Sequence, residues 1–243
     1  MAKDLLWRGM LAGILAALLA TLFARLIAEP QIDLAIGYEA TQQAHHAPMA
    51  GMAAPEEAEL VSRSTQKGLG LATAMCLYGA AVGGIFALAF AYGYGRLAHI
   101  GPRTLALVLA GLAFILIVIV PTIKYPQTPP AVGKHETVGM RTAAYFAMIA
   151  LSVAAAVIAN RVRTVLSPSQ SRFDAALMGI GAYVVLVMAG QFLLPRIDEV
   201  PADFPATLLW NFRVASIATQ LVLWATIGIV FGRWAEVRLK RYP

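Results

Sequence analysis

Pro195-Arg-Ile-Asp-Glu-Val-Pro201-Ala-Asp-Phe-Pro205-Ala206 is a charged corner set between two long apolar runs, and Trp210-Asn-Phe-Arg213 closes it. Proline fixes φ and has no N–H, so prolines at this density hold a non-helical path. On either side, Phe173–Leu194 and Leu208–Trp234 are long and apolar enough for bilayer-crossing helices, which need roughly 20 residues each. A related corner, Pro121-Thr-Ile-Lys-Tyr-Pro126-Gln-Thr-Pro-Pro130-Ala131, separates Arg103–Val120 from Arg141–Asn160. Aligned on their prolines, the two corners share Pro-x-x-x-Pro-Ala, with Lys124 leading one and Glu199 the other.

Two further runs, Leu5–Ala28 and Gly68–Tyr94, bring the expected spans to six. The first lacks a convincing small-x-small cleavage site before Glu29-Pro30, so it reads as a retained helix rather than a signal peptide. Of the 243 residues, 59% are hydrophobic and 13% charged, against about 25% charged in a soluble domain. The fold class is therefore an all-α integral membrane protein. Residues 1–243 form a single membrane domain, since no polar stretch is long enough for a core of its own. The net charge of +6 does not signal nucleic acid, because the basic residues sit in short clusters between apolar runs. One set of loops holds Arg96, Arg103, Arg161, Arg163 and Arg172, and the opposite set holds nearly all the acids. The positive-inside rule then puts both termini in the cytoplasm and residues 29–67 in a long extracytoplasmic loop. Hairpins 3–4 and 5–6, with both corners outside, suggest a parallel repeat. Gly9-x-x-x-Gly13 and Gly79-x-x-x-Gly83 are small-residue pairs that let helix backbones approach closely in lipid. The single cysteine, Cys76, lies in an apolar run and excludes an intrachain disulfide.

Two places could carry chemistry. Beside the corners, Lys124, Arg141, Asp198, Glu199, Asp203 and Arg213 would lie near the outer interface, joined by Glu29, Asp33 and Glu39 at the start of the long loop. Charges held there pair with one another or line a pathway. Lys124 with Glu199 is the preferred pair, and Glu29 or Asp33 with Arg141 or Arg213 an alternative; structural stapling of the hairpins is the plainer account of all of them. The second place is His45-His46-Ala-Pro-Met49-Ala-Gly-Met52, whose imidazoles and thioethers suit a transition metal, beside Glu56, Glu57 and Glu59. A solvated loop is the plainer account there. No phosphate-binding Gly-rich loop with Lys-Ser/Thr, no His-Glu-x-x-His and no Gly-x-Ser-x-Gly occurs, so no enzyme is expected.

Glu29-Pro-Gln-Ile-Asp-Leu-Ala-Ile-Gly-Tyr-Glu39, Ser62-Arg63, Lys124-Tyr-Pro-Gln-Thr-Pro-Pro-Ala-Val-Gly133, Arg141-Thr142 and Glu199-Val-Pro-Ala-Asp-Phe-Pro-Ala206 through Arg213 resemble the CbtA family over nearly the whole chain. The resemblance implies a multi-pass protein of the cytoplasmic (inner) membrane that serves cobalt uptake and cobalamin supply. It also implies a small histidine-rich membrane partner, CbtB. The resulting expectation is a subunit that moves a divalent transition metal, Co²⁺, inward across the bilayer. No cofactor is tightly bound in that reading, and oligomers are compatible with it. The alternative is a non-transporting scaffold subunit of a larger membrane complex.

Overall fold

The computed structural model describes residues 2–46, 62, 65–96 and 100–240. Every regular element among them is helical: α1 (Ala2–Phe23), α2 (Glu29–His46), α3 (Leu71–Gly93), α4 (Pro102–Ala113), α5 (Val120–Lys124), α6 (Val138–Leu166), α7 (Arg172–Leu193) and α8 (Ala206–Lys240). Wider π turns at Ala24–Ala28 and Phe114–Ile119 join α1 to α2 and α4 to α5. The outcome is six helices long and apolar enough to cross a membrane: Lys3–Gln42, Gly68–Gly93, Pro102–Lys124, Val138–Leu166, Arg172–Leu193 and Ala206–Lys240.

The first span departs from its expected boundary. Glu29-Pro30 reads as a stop, yet the helix runs on to His46. Pro30 has no N–H to give to the carbonyl four residues earlier, and the π turn just before it changes that hydrogen-bond pattern. Pro121 follows the π turn Phe114–Ile119 in the same way. A π turn before a proline lets a helix continue where a strict 3.6-residue ladder would break. The segment expected as a loop over 29–67 therefore begins as helix.

The chain forms two compact units. Unit 1 comprises Met1–Phe114, Thr128–Ala131 and Phe204–Pro243, and unit 2 comprises Ile115–Gln127 and Val132–Asp203.

In unit 1, α1 packs on α3 and α8, and α4 packs on α8. A methyl added to Gly13 would fall on the Gly79 carbonyl oxygen, and one on Gly83 would fall on that of Gly9. As numbers rise on α1 they fall on α3, so the two glycine pairs interlock in an antiparallel crossing. Ala12, Ala16, Ala17 and Ala20 continue the tight side of α1. Gly228 and Gly232 of α8 repeat the device against Ala110 and Ala106 of α4, where added methyls would lie 2.8 and 3.0 Å from the alanine Cβ atoms. Larger side chains fill the space beyond: Phe231 stands edge-on to Phe86 and Phe90 with ring centroids 5.4 and 5.0 Å away. Asp4 binds Arg238 at 2.6 Å, and Arg103 meets Glu236 at 3.4 Å, tying helix ends together. Farther along the chain, Tyr38 meets Phe204 edge-on at 5.0 Å.

In unit 2, α6 and α7 pack along their length. Gly179 allows the approach of Ala159, whose carbonyl oxygen would be 2.9 Å from an added Cβ. Ser152, fully buried, shares a 2.9 Å hydrogen bond with Tyr183 across the pair. Packing thus joins the third span to the sixth and the fourth to the fifth, whereas the sequence hairpins are 3–4 and 5–6. Large apolar side chains remain exposed on the outer faces, among them Phe146, Phe173, Phe192 and Leu193. Surfaces of this kind mark contact with lipid or another protein.

Candidate functional site

The site is built in unit 2, where segments of the two proline corners meet. α7 ends at Leu193 just before Pro195. In a helix the Gln191 carbonyl would accept from the N–H of residue 195, and proline has none to give. The Lys124 ammonium donates to that carbonyl instead. A cation at a helix C-terminus is also favoured by the helix dipole. Tyr125, the next residue, donates its hydroxyl to the Pro195 carbonyl at 2.7 Å. Loss of hydration raises the Tyr125 pKa above the ordinary tyrosine value, which keeps that donor protonated. Pro121 likewise cannot serve the Ile117 carbonyl, and the Tyr145 hydroxyl approaches it at a long 3.5 Å.

Glu199 reaches the other end of the first corner, at the start of α6. Its Oε2 accepts from the Lys134 N–H at 2.9 Å and lies 3.6 Å from Arg141 Nε. The Thr137 hydroxyl, 2.9 Å from the Lys134 carbonyl, also reaches the carboxylate. It has one proton to give, and the charged oxygen is the stronger acceptor. The Thr137 hydroxyl first and then the Lys134 N–H hold the Glu199 pKa below the ordinary value; lost hydration opposes them, and the charges of Arg141 and Lys134 add smaller effects in the lowering direction. The adjacent N-terminus of α6 is a place where an anion is favoured. Only 11% of the Glu199 side chain is exposed.

Gly133 fixes Arg141. Its φ of +107° is a conformation L side chains rarely adopt, and a Cβ there would meet the guanidinium, with Cζ at 2.7 Å. Arg141 Nη2 reaches the Lys134 carbonyl at 3.5 Å, while Nε makes no hydrogen bond among the described residues and faces Glu199 as an ion pair. Chemically this is a carboxylate held ionised, with one oxygen committed to neutral and cationic donors.

The corners come together as expected, by different partners. Glu199 pairs with Arg141 rather than with Lys124, and no ion pair joins Lys124 to Glu199 among the described residues. The reason is Pro195, whose missing N–H draws Lys124 to the end of α7. Lys134, Thr137, Tyr125 and Gln191 were not expected at the site; the prolines mark Gln191 in the sequence, and nothing marks Thr137. Asp198 is exposed, with one oxygen 3.4 Å from the Val200 N–H, and Asp203 also belongs to unit 2. Glu29, Asp33, Glu39 and Arg213 lie in unit 1. His45 and His46 end α2, and Met49 and Met52 lie outside the described residues, as do Glu56, Glu57 and Glu59. Among the described residues, no three His, Cys, Asp or Glu side chains converge as a metal-binding group.

Six helices long and apolar enough to cross a bilayer, with irregular proline-rich connections between them, mark a multi-pass helical membrane protein. No curated protein and no solved structure matches the chain. The family model described as "Probable cobalt transporter subunit (CbtA)" matches residues 2–236, and the chain belongs to that family.

Proposed function

We propose that this protein is the membrane subunit of an uptake system for a divalent transition metal, with Co²⁺ as the metal. The family match over nearly the whole chain is the observation that carries this reading. The expected topology puts the acidic loops outside, where they concentrate cations. Glu199 acts as a relay in this proposal. Its ionised carboxylate attracts the metal, and Arg141 occupies the same oxygen until the metal displaces it. Asp198 and Asp203 extend the negative surface around the second corner, and Glu29, Asp33 and Glu39 supply further carboxylates. A small histidine-rich membrane partner delivers or receives the ion, and the inner membrane is the site of action.

Expression in a host deficient in cobalt uptake tests the proposal through accumulation of radiolabelled Co²⁺. The chain with its partner is expected to raise accumulation several-fold over an empty vector, and Glu199→Gln to lower it. Accumulation no greater than the vector control, with the chain present in the membrane, overturns the transport reading. Wild-type accumulation in Glu199→Gln removes Glu199 from the path and leaves the transport reading standing.

A further inference from the structure

The C-terminal part of α6 carries a groove that none of the preceding chemistry uses. Val157, Ile158, Arg161, Val162, Val165 and Leu166 line it, at helical spacings that put them on one face. The neighbouring face is occupied: Gly179 of α7 packs against Ala159 and Arg163. Val157, Ile158 and Val165 are exposed, so the groove opens away from that contact. Its walls are apolar, which means Arg161 enters it with its methylene stem and carries its charge to the rim.

The charge at the rim is unanswered. Arg163 is held by Asn160 at 3.1 Å, Arg238 by Asp4 and Arg103 by Glu236. Arg161 makes no hydrogen bond or ion pair among the described residues, and neither does Arg172 at the start of α7. An apolar trough with a free guanidinium at its edge, at the end of a membrane-crossing helix, complements one kind of neighbour. That neighbour has a hydrocarbon chain and an anionic head in the same molecule.

We propose that this groove binds an anionic phospholipid of the surrounding leaflet, with the phosphate on Arg161 and an acyl chain along Val157, Ile158 and Val162. Arginine suits the role because its planar fork can donate two hydrogen bonds to one phosphate. Basic sites at the ends of membrane helices recognise such headgroups. The site is separate from Glu199 and does not depend on which metal the protein carries.

Native mass spectrometry of the purified full chain, titrated with phosphatidylglycerol or phosphatidylcholine, tests the proposal. Phosphatidylglycerol is expected to bind the wild type in preference to phosphatidylcholine. Arg161→Gln should weaken that binding several-fold, Arg161→Lys should restore part of it, and Arg163→Gln should leave it near wild type. Ile158→Trp fills the groove without changing charge and should weaken both the first adduct and the headgroup preference. Equal binding of the two lipids by the wild type overturns the proposal. So does undiminished phosphatidylglycerol binding in both Arg161→Gln and Ile158→Trp. If Arg161→Gln fails to fold, Ile158→Trp decides alone.

Discussion

Glu199 shows how one carboxylate acquires a fixed charge and a fixed place. Its ordinary pKa is 4.5, and its neighbours hold the folded value below that. Favouring the ionised form in the folded state adds stability that is fully present above the ordinary value. As pH falls, the unfolded chain takes up the proton first, and the contribution is lost as pH drops through the folded pKa. The thermal midpoint of wild type is therefore expected to exceed that of Glu199→Gln at neutral pH, and the difference to shrink on acidification below about pH 4.5. A difference independent of pH would show that the carboxylate's charge adds nothing. Gly133 is the second residue under constraint. Gly133→Ala places an L side chain at φ +107° and drives its methyl into Arg141. A loss of about 1–3 kcal/mol is expected in denaturant or thermal unfolding. The same substitution in an Arg141→Ala background should cost less, because the steric part is gone. The proline corners and their charges were legible as a candidate site, but the partner of each charge was not. A pairing between Lys124 and Glu199 follows from charge alone; the structure obeys the stronger demand of a carbonyl that Pro195 leaves without a donor.

At the scale of elements, the prolines act through the hydrogen bonds they remove. Lys124→Met keeps the aliphatic stem but leaves the Gln191 carbonyl at the end of α7 unmet. A half-buried acceptor without a partner costs about 1–3 kcal/mol, so Lys124→Met should lower stability by that amount. Lys124→Arg, which retains donors, should lose less; equal losses would mean that the hydrogen bond contributes little. The glycines give a sharper contrast. An added methyl at Gly13 meets the backbone of α3, which cannot turn aside as a side chain can. Gly13→Ala should therefore destabilise by about 1–3 kcal/mol through overpacking. Gly111, on α4, has nothing within 4 Å of its added methyl among the described residues. Gly111→Ala should be neutral, or stabilise by up to about 1 kcal/mol through better helix propensity. Thermal unfolding in detergent, followed by size-exclusion recovery, ranks the two. The α1–α3 crossing was legible because both helices carry the four-residue glycine spacing. The α4–α8 crossing is harder to read from sequence, although Gly228 and Gly232 have the same spacing, because α4 answers them with alanines. The run of α1 into α2 was hidden for another reason: a sequence shows the proline that should stop a helix, but not the π turn that lets it pass.

For the whole molecule, composition was the strongest guide, because a chain this apolar has few ways to satisfy its backbone in lipid other than helices. That reasoning reaches the number of spans without any knowledge of which span packs on which. The pairing of the third span with the sixth rests on small-residue contacts between segments far apart in sequence, whereas the fourth and fifth are neighbours joined by a short turn. The sidedness of the membrane is a separate matter, set by charge. Arg161, Arg163 and Arg172 flank the turn between α6 and α7, whereas Asp198 and Glu199 occupy the corner at the opposite end of α7. The positive-inside rule assigns the arginine-rich turn to the cytoplasm and the acidic corner to the outside. Ser169 and Asp198 are exposed residues of these two connections and, with Cys76 replaced by alanine, can each carry a lone thiol. In intact spheroplasts, a membrane-impermeant maleimide should label Asp198→Cys at once and Ser169→Cys only after permeabilisation. The reverse pattern would invert the molecule and put the Glu199–Arg141 pair on the cytoplasmic face, where it could release a metal but not capture one. Labelling of both from outside would mean that α7 does not cross the bilayer, and six spans would have to become fewer.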